Sequence, residues 1–313
     1  MTALCAACWI AGAREASLPR MVPPQPVRAK ARRPAPAQPQ TPISVSDIDE
    51  VAWDISNLNH GRVEFWIERF QTDKRDEFER FLARKGRFEQ LITAALEARE
   101  MPRDLLYLAM IESGFNPKAY SRARAAGIWQ FIKETGSRYG LDVNSAVDER
   151  NDPVKATQAA LDYLSDLHRR FGSWYLAAAA YNTGENRVGR IMRQLKGSER
   201  GSDSDYYQIW PYLPRETRDY VPLMIAAARI SKQPELYGFD YVQPLEPWTF
   251  EEVVARPGTR LTTLAKEACT TVEELRRLNP QLKLDRTRRD ESMTVRVPLK
   301  VYASAALGRL AED

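Results

Sequence analysis

Residues 105–131 read "LLYLAMIESGFNPKAYSRARAAGIWQF", a run of leucine, isoleucine and alanine that ends in a lone carboxylate, Glu112. Taking 103–113 as a helix puts Leu105, Leu108 and Ala109 seven, four and three residues before Glu112. The acid then continues their stripe and projects along a face that is mainly buried. Gly114 is a natural helix stop, and Asn116-Pro117 prevents continuation. Glu112 therefore falls in the last turn, where the helix dipole disfavours a carboxylate by about 0.3–1 kcal/mol. Partial desolvation acts in the same direction. Both effects hold a proton on the acid near neutral pH, as a general acid requires. The competing reading is a glutamate that points to solvent at a helix end, and the surrounding chain decides between the two.

On the N-terminal side, "VEFWIERFQTDKRDEFERFLARKGRFEQLITAALEARE" repeats apolar residues at three and four spacings, with Phe65, Trp66, Phe70, Phe78, Phe81 and Leu82 as anchors. On the C-terminal side, Asp152-Pro153 reads as an N-cap followed by proline at the first helical position, opening "VKATQAALDYLSDLHRRF". Ser173 caps "WYLAAAAYN", which stops at Asn182-Thr-Gly184, and its alanines let neighbouring helices approach closely. Thr217 begins "RDYVPLMIAAARIS", with Pro222 within reach of the first turn. After Gly238 the pattern changes to strand, turn, two short helices and a return strand, a βααβ unit of about fifty residues, separate from the helical body. The fold class expected is mainly α, with this small unit at the C-terminus.

The 313 residues suffice for one domain of ordinary size, a smaller one and a tail. Hydrophobic residues make up 43% and charged residues 28%, so most of the chain can bury a core. Lys plus Arg exceed Asp plus Glu only by 46 to 42, which gives no argument for nucleic acid as a partner. Cys5, Cys8 and Cys269 offer neither a disulfide framework nor zinc spacing. Of the two histidines, His60 and His168, the latter reads as an exposed helix position. No metal and no cofactor is expected, and any chemistry falls to carboxylates, amides and aromatics.

The first residues, "MTALCAACWIAGA", are small and apolar without a positive leader, and no run of eighteen apolar residues occurs. Residues 1–18 read either as a signal or lipoprotein leader, with Cys8 the lipid acceptor in "AACW", or as a truncated start. Residues 19–42 hold eight of the twenty prolines, interspersed with Arg28, Lys30, Arg32 and Arg33. Such a segment prefers extended, solvated conformations, so 19–45 reads as a linker. The expected order thereafter is an N-terminal helical segment at 46–94, a catalytic domain at 95–240, the βααβ unit at 244–299 and a tail at 300–313.

Three ordered motifs, "ESGFNPKAYSRARAAGIWQF", "AAYNTGENRV" and "YLPRETRDYVP", resemble the catalytic domain of the soluble lytic transglycosylase family, lysozyme-like enzymes of bacterial cell walls. The wording of "WQF" and "LPRETRDYVP" is most similar to the membrane-bound lytic murein transglycosylase D branch. "VARPGTRLTTLAKEACTTVEELRRLNPQL" followed by "VRVP" resembles a LysM glycan-binding module. The resemblance implies a goose-type lysozyme-like domain with Glu112 as the sole catalytic acid/base. It implies that Ser113 supports the Glu112 side chain, that Gln130 and Trp129 line the cleft, and that Tyr181 and Asn182 contact the sugar and orient the acid. Glu216 and Tyr220 would border the cleft as binding groups. Peptidoglycan glycan strands would be the partner, and the location periplasmic, with an N-terminal membrane tether.

One acid can suffice where ordinary glycosidases need two carboxylates. N-acetylmuramic acid carries an acetamide that can stabilise the positive sugar centre and a 6-hydroxyl that can close an anhydro ring. Asp142, Asp148, Glu149 and Asp152 lie in a turn-rich stretch that reads as loop and cap, and none repeats the Glu112 setting. The expected reaction is a lyase cleavage without water. A water-using muramidase and a catalytically inactive peptidoglycan-binding scaffold are the alternatives.

Overall fold

The computed structural model describes residues 52–299, so the leader, the proline-rich linker at 19–45 and the tail lie outside the described residues. In chain order the helices of the body are α1 (Gly61–Gln71), α2 (Arg75–Glu97), α3 (Leu106–Ser113), α4 (Lys133–Arg138) and α5 (Pro153–Phe171), then α6 (Trp174–Thr183), α7 (Glu185–Lys196), α8 (Asp203–Ile209) and α9 (Arg215–Lys232). A 3-10 turn at Arg103–Leu105 leads into α3. Every residue of α3 is buried, because it runs through the middle of the body with α9 and α2 packed on it. Its end is fixed twice over. Gly114 adopts the left-handed conformation (φ 55°), and a Cβ there would lie 2.1 Å from the Phe81 ring. The caps expected at α5 and α6 are in place: Asp152 Oδ1 accepts from the Val154 and Lys155 amides, and Ser173 accepts from Leu176.

Helix α9 starts earlier than its sequence suggests, at Arg215, which leaves Pro222 inside the helix instead of near its first turn. A proline there has no N–H for the carbonyl four residues back, that of Arg218. Two side chains from the preceding segment supply the missing donors. Tyr206 Oη and Trp210 Nε1 donate to the Arg218 carbonyl at 2.9 and 2.8 Å, and Tyr206 also bonds that of Thr217. The N-terminal part of the body is tied down as well. Buried Arg229 of α9 donates to Asn57, Asn59 and Glu64 at 2.9, 2.7 and 2.8 Å. His168 is half-buried instead of exposed, stacked on Trp174 with centroids 3.9 Å apart.

The C-terminal unit has the expected order of elements: β1 (Glu251–Ala255), α10 (Leu261–Glu267), α11 (Val272–Leu278) and β2 (Met293–Val297), with the two strands antiparallel. It does not stand apart from the body. Trp248, just ahead of β1, packs on Phe88 of α2, and Leu278 joins the main core. Val147 of the body in turn joins the core of the unit. Arg296 of β2, 5% exposed, donates to Asp152 Oδ2 at 2.9 Å and lies over the Trp248 and Phe250 rings. Asp152 thus caps α5 with one oxygen and pairs with the C-terminal unit through the other. Breaking such a buried pair from one side strands a charge, so Arg296→Ala is expected to cost about 3–5 kcal/mol of stability. Denaturant unfolding followed by circular dichroism measures this.

Candidate active site

Glu112 sits in the last turn of α3 and is only 2% exposed. Tyr220 Oη donates to its Oε1 at 2.5 Å, while Oε2 has no hydrogen-bond partner. Burial pushes the carboxyl up to about 8; the Tyr220 bond opposes the rise, and the charge of Glu216 adds to it. Glu112 is thus a buried carboxyl shifted toward its protonated form, with desolvation as the first cause.

Helix periodicity explains what surrounds it. Glu216 and Tyr220 are four residues apart on α9, with Thr217 between them, so one face delivers all three. Burial also raises the Glu216 carboxyl, to about 7, and the neighbouring Asn182 amide holds it back. Asn182 lies in the last turn of α6, where Thr217 Oγ1 donates to its Oδ1 at 2.8 Å. That bond fixes which end of the amide is committed. Asn182 Nδ2, Glu216 Oε1 and Glu112 Oε2 are all buried without a hydrogen bond of good geometry. Buried polar atoms left in this way are exceptional in a folded protein.

Other residues have different duties from those expected. Ser113 is buried and does not hydrogen-bond the Glu112 carboxyl. Its Oγ donates to the Ile128 and Ala109 carbonyls at 2.9 and 3.3 Å and accepts from the Asn116 amide, which ties the helix end to the following loop. Trp129 does not line a cleft: it is 0% exposed and its Nε1 donates to Thr157 Oγ1 at 2.9 Å. An indole is large enough to fill core, and its one donor is used there. Tyr181 is half-buried and donates to the Trp129 carbonyl at 2.8 Å, so it holds the loop backbone. Gln130, with φ +47°, donates to the Gly127 and Ala119 carbonyls at 2.8 and 3.3 Å. Tyr220 does more than border the site, since it touches the acid itself. Thr217, which the sequence marks only as a helix start, is one residue from Glu216 and bonds Asn182. Among the described residues no cluster of His, Cys, Asp and Glu could hold a metal ion.

The raised carboxyls have a consequence for stability. A glutamate whose folded-state pKa lies above its unfolded value, about 8 against 4.5 for Glu112, favours the folded state while protonated. The native protein then binds more protons than the unfolded chain, and stability falls as pH rises from about 4.5 to about 8. Glu112→Gln removes this dependence. Its melting temperature, compared with that of the parent by calorimetry, is expected to gain steadily between pH 5 and pH 8.5.

Residues 90–203 match the Transglycosylase SLT domain family. Over 194 residues the chain is 37% identical to membrane-bound lytic murein transglycosylase D of Escherichia coli K12, which covers 61% of this chain and 42% of that protein. The protein of the same name from Escherichia coli O6:H1 gives the same figures. The chain spans less than half the length of these relatives. A solved structure of an inactive mutant of the lytic transglycosylase Slt from Pseudomonas aeruginosa is similar at 24% identity and a TM-score of 0.38, covering 51% of this chain and 25% of that one. Glu112, Ser113, Trp129, Gln130, Tyr181 and Asn182 fall inside the matched segment, whereas Glu216 and Tyr220 follow it. Residues 90–203 of this chain are thus similar to the Transglycosylase SLT domain family, and Glu112, buried at the end of α3, lies within the matched segment.

Proposed function

We propose that this protein is a peptidoglycan lytic transglycosylase, a lyase that cleaves the β-1,4 bond between N-acetylmuramic acid and N-acetylglucosamine without consuming water. The observation that supports this reading most is the state of Glu112, a buried carboxyl pushed up to about 8 inside an SLT domain. Glu112 donates its proton to the glycosidic oxygen as the bond from the muramic C1 breaks. The substrate's acetamide stabilises the positive sugar centre. Glu112, now a carboxylate held by the Tyr220 hydroxyl, accepts the proton of the 6-hydroxyl as its oxygen closes on C1. The proton balance is complete, and the acid returns to its starting state.

The unpartnered Oε2 is the oxygen available for both transfers. Asn182 and Glu216 act as sugar-binding groups, with the Asn182 amide oriented by Thr217. Tyr181, Gln130, Ser113 and Trp129 serve this reaction by holding the loop after α3. A two-carboxylate hydrolase fits less well, because it needs an ionised second carboxylate and Glu216 is itself held near 7 by burial. The 244–299 unit is a LysM-like module that keeps the enzyme on its glycan. The protein works in the periplasm, attached to the membrane through its N-terminus, with Cys8 as the lipid acceptor.

Two measurements test this. Glu112→Gln keeps the shape and removes the proton, so turnover of purified sacculi falls by at least ~10²-fold in a folded protein. Near-normal turnover would remove Glu112 from the mechanism. Mass spectrometry of the released glycans is expected to find 1,6-anhydro-N-acetylmuramic acid ends, one water lighter than reducing ends, with no oxygen from labelled water. Intramolecular closure wins over water because the tethered hydroxyl has a very large effective concentration. Labelled reducing ends would mean a hydrolase instead.

A further inference from the structure

Glu112's loop and the C-terminal unit are joined through one buried guanidinium. Arg150, 4% exposed, makes a two-pronged pair with Asp148: Nε to Oδ1 at 2.9 Å and Nη2 to Oδ2 at 2.7 Å. Its Nη1 donates to the Arg124 carbonyl at 2.8 Å and the Phe131 carbonyl at 3.1 Å. One side chain thus holds both ends of the 124–131 segment. Backbone contact adds to this, since a Cβ on Gly127 would lie 1.7 Å from the Arg150 carbonyl oxygen. Within that segment Arg124 and Gln130 have positive φ, a conformation that persists only where neighbours enforce it. The same segment offers the Ile128 carbonyl to Ser113, next to the acid, and the Trp129 carbonyl to Tyr181.

The other side of Asp148 is held by the C-terminal unit. The Asp148 amide donates to the Gln281 carbonyl at 2.9 Å, and the Lys283 amide donates to that of Ala146 at 3.0 Å. Val147 pairs with Leu282 in an isolated antiparallel bridge, and both side chains are buried in the core of the C-terminal unit. Arg288 Nη1 pairs with Asp142 Oδ2 at 2.8 Å. These contacts all come from 281–288, in the basic stretch that precedes β2. An isolated glycan-binding module has no need of them.

We propose that Arg150 is a positioning residue for the active-site loop, and that the C-terminal unit clamps the 142–149 turn so that Arg150 stays in place. The module is then part of the catalytic apparatus, whatever glycan it also holds. The kinetic consequence rests on the transglycosylase reading; the physical coupling does not.

Amide hydrogen exchange and steady-state kinetics on the full chain test the proposal together. Arg150→Lys keeps the charge but loses the fork, and Leu282→Ala loosens the clamp without touching Arg150. In both variants, exchange over 119–131 is expected to quicken ~10-fold or more, while α1 and α2 keep their protection. On a soluble glycan fragment kcat is expected to fall by ~10- to 10²-fold with KM nearly unchanged, as for a displaced catalytic geometry. Unchanged exchange over 119–131 in Leu282→Ala overturns the clamp. Faster exchange with wild-type kcat overturns the positioning role. Should Arg150→Lys fail to fold, Leu282→Ala carries both readouts. If the parent protein cleaves no glycan, the transglycosylase reading fails and exchange alone decides the coupling.

Discussion

Burying one carboxyl at the end of an apolar helix is the constraint on which the rest of the architecture depends. An ionised carboxylate in such a place is costly, and proteins answer by protonation, by pairing or by hydrogen bonding. Among the described residues no cation pairs with Glu112, and the Tyr220 hydroxyl bonds it. The result is a group that is a good acid near neutrality and is not trapped as one, because the Tyr220 bond stabilises the conjugate base. A salt bridge would have pinned the proton off. Full isolation would have pinned it on.

Holding Tyr220 at the acid requires α9 to pass close to the end of α3, and the proline in α9 is part of how it does so. Pro222 frees the Arg218 carbonyl in a buried stretch, which would be costly if it remained unpaired. Tyr206 and Trp210 answer it from the preceding segment, and so anchor the first turns of α9, where Glu216, Thr217 and Tyr220 lie. The same helix carries Arg229, which gathers Asn57, Asn59 and Glu64 from the N-terminal end of the described chain. One helix therefore serves the site at its start and secures the outer part of the body at its end.

Local signals made much of this legible. The Gly114 stop, the Asp152-Pro153 and Ser173 caps, and the carboxylate in the last turn of α3 are short-range features, and the structure has each of them. The order of strands and helices after Gly238 was legible for the same reason. What the sequence concealed is long-range or depends on side-chain duty. Tyr220 and Glu112 are 108 residues apart, and no spacing rule links them. Trp129, for which the family resemblance implies a place in the cleft, is core, and its N–H is taken by Thr157 of α5. Ser113 sits beside the acid in sequence but turns its hydroxyl to the Ile128 carbonyl. The start of α9 is hidden because a proline inside a helix is normally evidence against one, and its compensation, Tyr206 and Trp210, lies on other elements.

The loop after α3 shows where stability is spent to keep the acid in place. Phe115, Arg124 and Gln130 all have positive φ, at 56°, 61° and 47°, and each such residue costs on the order of 1–3 kcal/mol. Local hydrogen bonds such as those between Ala126 and Phe131 offset part of that, and the surroundings add the rest: Ser113 and Tyr181 from the helices, and Arg150 from the segment after the 142–149 turn. Arg150 is itself a buried charge that is tolerable only with its Asp148 partner correctly placed. Asp148 lies in a turn-rich stretch whose buried end, Val147 and Asp148, is covered by the C-terminal unit. The strain next to Glu112 is therefore balanced at a distance, by a second small core that includes none of the candidate site residues.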